Sequence, residues 1–188
     1  MYFLDYKRKS IRKKHFDYRQ SAYYFITICT DGREHLFGEI IDGEMILNDT
    51  GKIVEKCWLS IPRHFPFIKL GIFTIMPNHI HGIVTIDRWC PISPVGANNY
   101  SPFTRHGTSN SLGSAIRGFK IGVTRWCRQN NGLYHPFQRN FHDIVIRNKT
   151  QLEIIKQYIK NNPQIWYRDR NNLQNSTNPP QTPDCHLK

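Results

Sequence analysis

Met76-Pro77-Asn78-His79-Ile80-His81-Gly82-Ile83-Val84 places two histidines one residue apart in an apolar run that follows a Pro-Asn pair. Side chains alternate faces along a β-strand, so His79 and His81 point the same way and Ile80 points into the opposite layer. Residues 69–76 read as a strand too, joined to residues 79–86 across Pro77-Asn78. The histidines therefore open the second strand, a position that suits a site at a sheet surface. A histidine in a strand is commonly a satisfied structural residue; the paired spacing brings the metal reading forward, because two imidazoles on one face can share one cation. Position 83 is Ile, so no HxHxD continuation exists and the dinuclear hydrolase type of site is not indicated. A third ligand has to come from elsewhere.

The stretch from Thr150 to Pro163 reads as a helix. Thr150 with Glu153 predicts a capping box, Leu152, Ile155 and Ile159 recur at helical spacing, and Pro163 stops the run. Tyr158 and Asn162 are four apart and share a face. A phenol and an amide oxygen could thus be offered together to an ion held by His79 and His81. The same spacing fits a packing tyrosine and a terminating asparagine.

The chain has 188 residues, 39% of them hydrophobic, a formal net charge of +12 and five cysteines without a CxxC pair; its pI is near 9.7. That suits one domain with a full core and tails. The charge points to a polyanionic partner, since Lys and Arg that neutralise phosphates release counterions. Neither a disulfide framework nor a zinc ribbon is indicated, so the cysteines read as reduced thiols. No apolar run is long enough to span a bilayer and the first residues lack the order of a secretory signal, which predicts a soluble, cytosolic protein.

Residues 1–17 form a basic arm in which Arg12, Lys13 and Lys14 are candidate contacts to a duplex or hairpin stem. Residues 23–30 are aromatic and β-branched, a central strand. Asp42-Gly43 between apolar flanks signals a tight hairpin within residues 37–47. Residues 49–61 predict a helix with Val54, Cys57, Trp58 and Ile61 on its core face and Pro62 after it. Residues 88–110, rich in Pro, Ser, Gly and Asn, read as a long loop. Residues 112–128 predict a second helix, with an apolar stripe of Leu112, Ala115, Ile116, Phe119, Val123 and Trp126. From Arg88 to His142 there is no Asp or Glu against seven Arg or Lys residues. Such one-sidedness fits a phosphate backbone, and Arg117, Lys120, Arg125, Arg128 and Arg139 are the candidate contacts. Trp126, Tyr134 and Phe137 could stack bases, with core packing the competing role for Trp126. Residues 141–146 give a last strand, and residues 167–188 read as a poorly ordered tail. The order β, hairpin, α, β, β, α, β, α contains the split βαβ arrangement of ferredoxin-like α+β domains, with an antiparallel sheet under helices.

His79-Ile80-His81 after Met-Pro-Asn, together with Tyr158-Ile159-Lys160-Asn161-Asn162-Pro163, resembles the HUH single-tyrosine transposases, most closely the REP-associated tyrosine transposases. The likeness spans residues 18–166. It takes in Phe25-Ile26-Thr27-Ile28-Cys29-Thr30, the segment from Ser114 to Lys120, and Phe137-Gln138-Arg139-Asn140-Phe141-His142-Asp143. It implies the ferredoxin-like fold with an added hairpin and a C-terminal catalytic helix. It implies His79 and His81 as metal ligands, Tyr158 as nucleophile and Asn162 as third ligand, where insertion-sequence relatives often carry Gln. It also implies Mg²⁺ or Mn²⁺ as cofactor, whereas ligand softness alone at a two-imidazole site favours Mn²⁺ or Zn²⁺. The implied activity is cleavage and rejoining of single-stranded DNA at palindromic sites through a 5′-phosphotyrosine intermediate, by a monomer or a homodimer. Two other readings stay open: a ferredoxin-like nucleic-acid-binding module without catalysis, and a metal-dependent phosphoesterase in which water attacks.

Overall fold

A computed structural model of the chain describes residues 20–87, 111–169 and 171–172. The basic arm with Arg12, Lys13 and Lys14 and the loop at 88–110 lie outside the described residues. The elements in chain order are β1 (Ala22–Cys29), β2 (Gly38–Ile41), β3 (Glu44–Leu47), α1 (Asp49–Leu59), α2 (Ile61–His64), β4 (Ile68–Met76), β5 (His79–Ile86), α3 (Leu112–Asn130), β6 (His142–Ile146) and α4 (Lys149–Asn161). Four strands form one sheet in the order β4-β5-β1-β6, and every neighbouring pair is antiparallel. β5 thus lies between β1 and β4, and β1 between β5 and β6, which is the ferredoxin-like α+β arrangement expected from the sequence. β2 and β3 form a separate hairpin. Asp42 and Gly43 at its tip both have positive φ (52° and 79°), the backbone of the mirror-type turns that match strand twist.

The alternation of strand side chains assigns each residue to one of two layers. Tyr24, Ile26 and Ile28 of β1 and Ile80, Val84 and Ile86 of β5 join Val54 and Trp58 of α1 and Ile116, Phe119 and Val123 of α3 in the main core. Trp58 meets Phe119 edge to face at 5.5 Å between ring centroids. Gly82 makes room for the indole: a Cβ there would lie 2.6 Å from Trp58 Cζ2. On the other face Ile83 and Ile146 pack with Ile155 and Ile159 of α4, flanked by Phe25 and Leu152.

Helix ends depart from expectation in two places. Pro62 does not follow the first helix but lies in the first turn of α2, where the missing N–H costs no bond. α4 is capped by Asn148, whose Oδ1 accepts from the Gln151 amide at 2.8 Å, while Gln151 Oε1 accepts from the Arg147 amide at 2.9 Å. The Thr150–Glu153 capping box does not form, because Asn148 caps the helix two residues earlier and Glu153 instead accepts from Lys156 at 2.7 Å. The start of the stretch expected as a loose tail is packed: residues 166–168 make a 3-10 turn, and Asp169, Asn171 and Asn172 are buried.

Candidate metal centre and nucleophile

Register fixes the neighbours of the histidines. His81 pairs with Thr27 of β1 and Thr74 of β4, and His79 with Cys29 and Met76. Met76 and His79 close a two-residue turn at Pro77-Asn78. Neither turn residue has positive φ, so this is not the mirror-type turn that hairpins favour. It is held from outside instead. The Thr30 amide donates to Asn78 O at 2.9 Å and the Phe37 amide to Pro77 O at 3.0 Å. Asn78 is fully buried, and its Nδ2 donates to Arg33 O at 3.0 Å and to Asn171 O at 2.8 Å.

Those two bonds orient the Asn78 amide, which leaves Oδ1 facing His79 Nδ1 at 2.8 Å. An amide oxygen only accepts, so Nδ1 carries the hydrogen and Nε2 carries the lone pair. Burial, and secondarily the Arg33 charge, push the His79 pKa down to about 3, so the ring is neutral at physiological pH. Its Nε2 is buried without a hydrogen-bond partner and lies 3.8 Å from Asp169 Oδ2. With the ring neutral this contact is not an ion pair: two acceptors face each other, and only a proton or a cation between them is favourable.

His81 Nδ1 lies 2.9 Å from Thr27 Oγ1 and its Nε2 3.2 Å from Tyr158 Oη. Phe25 stacks on the His81 ring at 5.2 Å and meets Tyr158 edge-on at 6.0 Å. The phenol is thus held against the imidazole, yet Tyr158 remains 38% exposed, so a substrate can reach it. Asn162, one turn on, is fully buried. Its Nδ2 donates to Asp169 Oδ2 at 3.2 Å, and its Oδ1 is buried without a partner. Flipping the amide would set oxygen against the carboxylate, so this orientation is the favoured one. Asp169 Oδ1 accepts from the Asn171 amide at 2.6 Å, and Trp166 lies over His79 at 5.9 Å between centroids.

Ligand atoms of His79, His81 and Asp169 all lie within 4.8 Å of one another, the span of donors around one ion. Two imidazoles and a carboxylate so placed, with the His79 Nε2 lone pair buried and without a hydrogen-bond partner among the described residues, form a donor set that fits a divalent cation of intermediate hardness. The structure places Tyr158 against His81 and Asn162 against Asp169, which lies with His79 and His81 in one cluster. It adds two residues that sequence reasoning missed. Asn78 looked like part of a turn and is the partner that fixes the His79 tautomer. Asp169 sits between Arg168 and a polar tail; the only signal was Trp166 just before it, whose ring packs against His35 and His79.

The candidate nucleic-acid contacts on α3 do not share this face. Arg117, Arg125 and Arg128 are exposed on α3, which packs on the opposite side of the sheet. Lys120 turns inward and donates to the carbonyls of Gln138 at 2.7 Å and Asn140 at 2.8 Å, and burial lowers its pKa to about 8. Phe137 is buried, and Trp126 is half-buried against the core. Tyr134 is exposed beside the Arg128 guanidinium, 5.3 Å from its ring centroid. Arg139 is exposed at the site end of the sheet. Among the described residues no helix is long and apolar enough to cross a membrane.

No family model matches the chain. An uncharacterized protein of Haemophilus influenzae is 42% identical over 170 residues, covering 87% of this chain and 92% of that protein. Among solved structures, a REP-associated tyrosine transposase bound to a REP hairpin superposes with a TM-score of 0.57 at 18% identity, over 82% of this chain and 74% of that one. The chain belongs to one family with the Haemophilus influenzae protein and shares the fold of the REP-associated tyrosine transposase.

Proposed function

We propose that the protein is a metal-dependent enzyme that cleaves and rejoins single-stranded DNA beside a hairpin or palindrome, through a 5′-phosphotyrosine link to Tyr158. The observation that carries this reading is a phenol oxygen 3.2 Å from an imidazole of a buried cluster of acceptors. In the step, Tyr158 Oη bonds to phosphorus and the bond from phosphorus to the 3′ oxygen breaks. The phenol gives up its proton and the leaving oxygen ends as a 3′-hydroxyl, which reverses the step when it attacks the phosphotyrosine. The link conserves the phosphodiester energy, so no nucleotide cofactor is required. A free phenol has a pKa of about 10, so its proton leaves as the attack proceeds.

His79, His81, Asn162 and Asp169 would hold Mg²⁺ or Mn²⁺, which would polarise a phosphoryl oxygen and offset charge developing there. Asn78 and Thr27 orient the two rings from behind. Tyr158 reaches the His81 of its own chain, which supports a constellation completed within one protomer. The transposase neighbour's REP hairpin and the net charge of +12 support DNA as the partner.

The test is a denaturing gel of labelled palindromic single-stranded DNA with protein, Mg²⁺ or Mn²⁺, or chelator. A metal-dependent shifted band that Tyr158→Phe abolishes is the expected result. Cleavage without that band would make the protein a phosphoesterase, and binding with neither would make it a binding module. Without DNA, Mn²⁺ should raise the melting temperature of the wild type, and Asp169→Asn should remove most of that rise.

A further inference from the structure

Beside the histidines, where β1 runs past the start of β6, lies a cleft of about 370 Å³ whose walls include Cys29, Asp31 and residues 138–142. It is at the small end of ligand-sized cavities, roughly 300–1,000 Å³. Register ties it to the site. His142 pairs with Thr27, and Thr27 pairs with His81 and contacts that ring at 2.9 Å. Strands are about 4.8 Å apart, so the cleft stands roughly 10 Å from the histidine pair, within reach of a neighbouring nucleotide on the same strand of DNA.

The wall is built from behind. The Gln138 amide donates to Cys29 O at 3.0 Å and the Asp31 amide to Pro136 O at 3.2 Å. The Lys120 ammonium holds the carbonyls of Gln138 and Asn140, so the backbone of this segment is pinned to α3. In contrast, the side chains of Gln138, Arg139, Asn140 and His142 make no hydrogen bond or ion pair among the described residues. A fixed backbone that presents a guanidinium, two amides and an imidazole to a small cleft is arranged for an outside partner. Arginine matches phosphate with two parallel bonds, and side-chain amides can bond the edge of a base.

We infer that this cleft seats the nucleotide adjoining the scissile phosphate, with Arg139 on its phosphate and Gln138 and Asn140 on its base edge. The assignment rests on the single-stranded DNA reading above and deepens it. Phosphate contacts set position while base contacts set preference, so the two roles separate experimentally.

The experiment uses the full chain carrying Tyr158→Phe, so that no covalent product accumulates, and fluorescein-labelled dT12 and dC12 followed by anisotropy over a salt series. Each phosphate contact to a single strand contributes about 0.7 to the slope of log affinity against log salt. Adding Arg139→Ala should weaken dT12 binding several-fold and lower that slope by about one contact, and Arg139→Lys should restore the slope. Gln138→Ala and Asn140→Ala should leave the slope alone and change the dT12 to dC12 ratio. Lys52→Ala, on the exposed side of α1, should change neither. If the parent binds dT12 and Arg139→Ala keeps its affinity and slope, the cleft is not a nucleotide seat although the DNA reading stands. A parent that binds neither dT12 nor palindromic single strands overturns the DNA reading, and the cleft assignment with it.

Discussion

The two faces of the sheet are made from the same strands and do opposite work. Toward α1 and α3, Ile80, Val84 and Ile86 of β5 meet Trp58, Phe119 and Val123 in a continuous apolar core. Toward α4, the alternate residues His79, His81 and Ile83 meet a small cluster of Ile146, Ile155 and Ile159 and a buried polar group with two orphaned acceptors. Stability is concentrated on the first face because burial of large side chains dominates folding energetics. Of the three buried polar atoms without a partner among the described residues, the second face carries two, His79 Nε2 and Asn162 Oδ1, and the first face one, Trp58 Nε1; such groups are costly to bury unpaired, and the packing of the first face offsets that cost. Chemistry and stability are thus separated by a single step along each strand.

If that division is right, the largest loss of stability comes from the apolar face. Trp58→Ala should cost about 3–5 kcal/mol, read from urea denaturation. Gly82→Ala, which drives a methyl toward the fixed indole, should cost about 1–3 kcal/mol although it neighbours His81 in sequence. An effect below that would mean Trp58 can shift, and that the faces are less rigidly opposed.

The polar face should show itself in pH dependence. Unfolded His79 takes up a proton below about 6.5, whereas burial keeps the folded ring neutral down to about 3. Between those values the unfolded chain holds the extra proton, so His79 contributes stability that is full above pH 6.5 and declines as the pH falls toward 3. In chelator, urea midpoints should fall from pH 7 to 4.5 more steeply for the wild type than for His79→Gln; parallel curves would sink this account. The smallest stability change belongs to Tyr158→Phe, under about 1 kcal/mol for a partly exposed hydroxyl, even though the DNA adduct should vanish. Were it to destabilise as much as Trp58→Ala, the separation of the faces would fail.

Periodicity made most of the fold readable. Alternation in residues 23–30 and 79–86, the Asp42-Gly43 turn and the 3.6-residue stripe of α3 are local signals that the tertiary structure only had to accept. Helix boundaries were less readable, since Asn148 competes with Thr150 for the same amides and Pro62 serves to start a helix as well as to follow one. The site divides in the same way. His79 with His81, and Tyr158 with Asn162, are pairs whose geometry follows from the repeat of one element. Asp169 is brought to His79 by a turn and a buried carboxylate–amide bond, contacts with no regular spacing to betray them.

The sequence by itself determined which side chains share a strand face or a helix turn, and through its charge it pointed to a polyanion. Only the tertiary structure decided that α4 lies over the histidine face, that Arg117, Arg125 and Arg128 lie behind the sheet, and that Lys120 points inward. The physical reason is that periodicity fixes direction within an element. Which element covers which face depends on the packing of whole surfaces, a non-local sum that no single stretch of sequence contains.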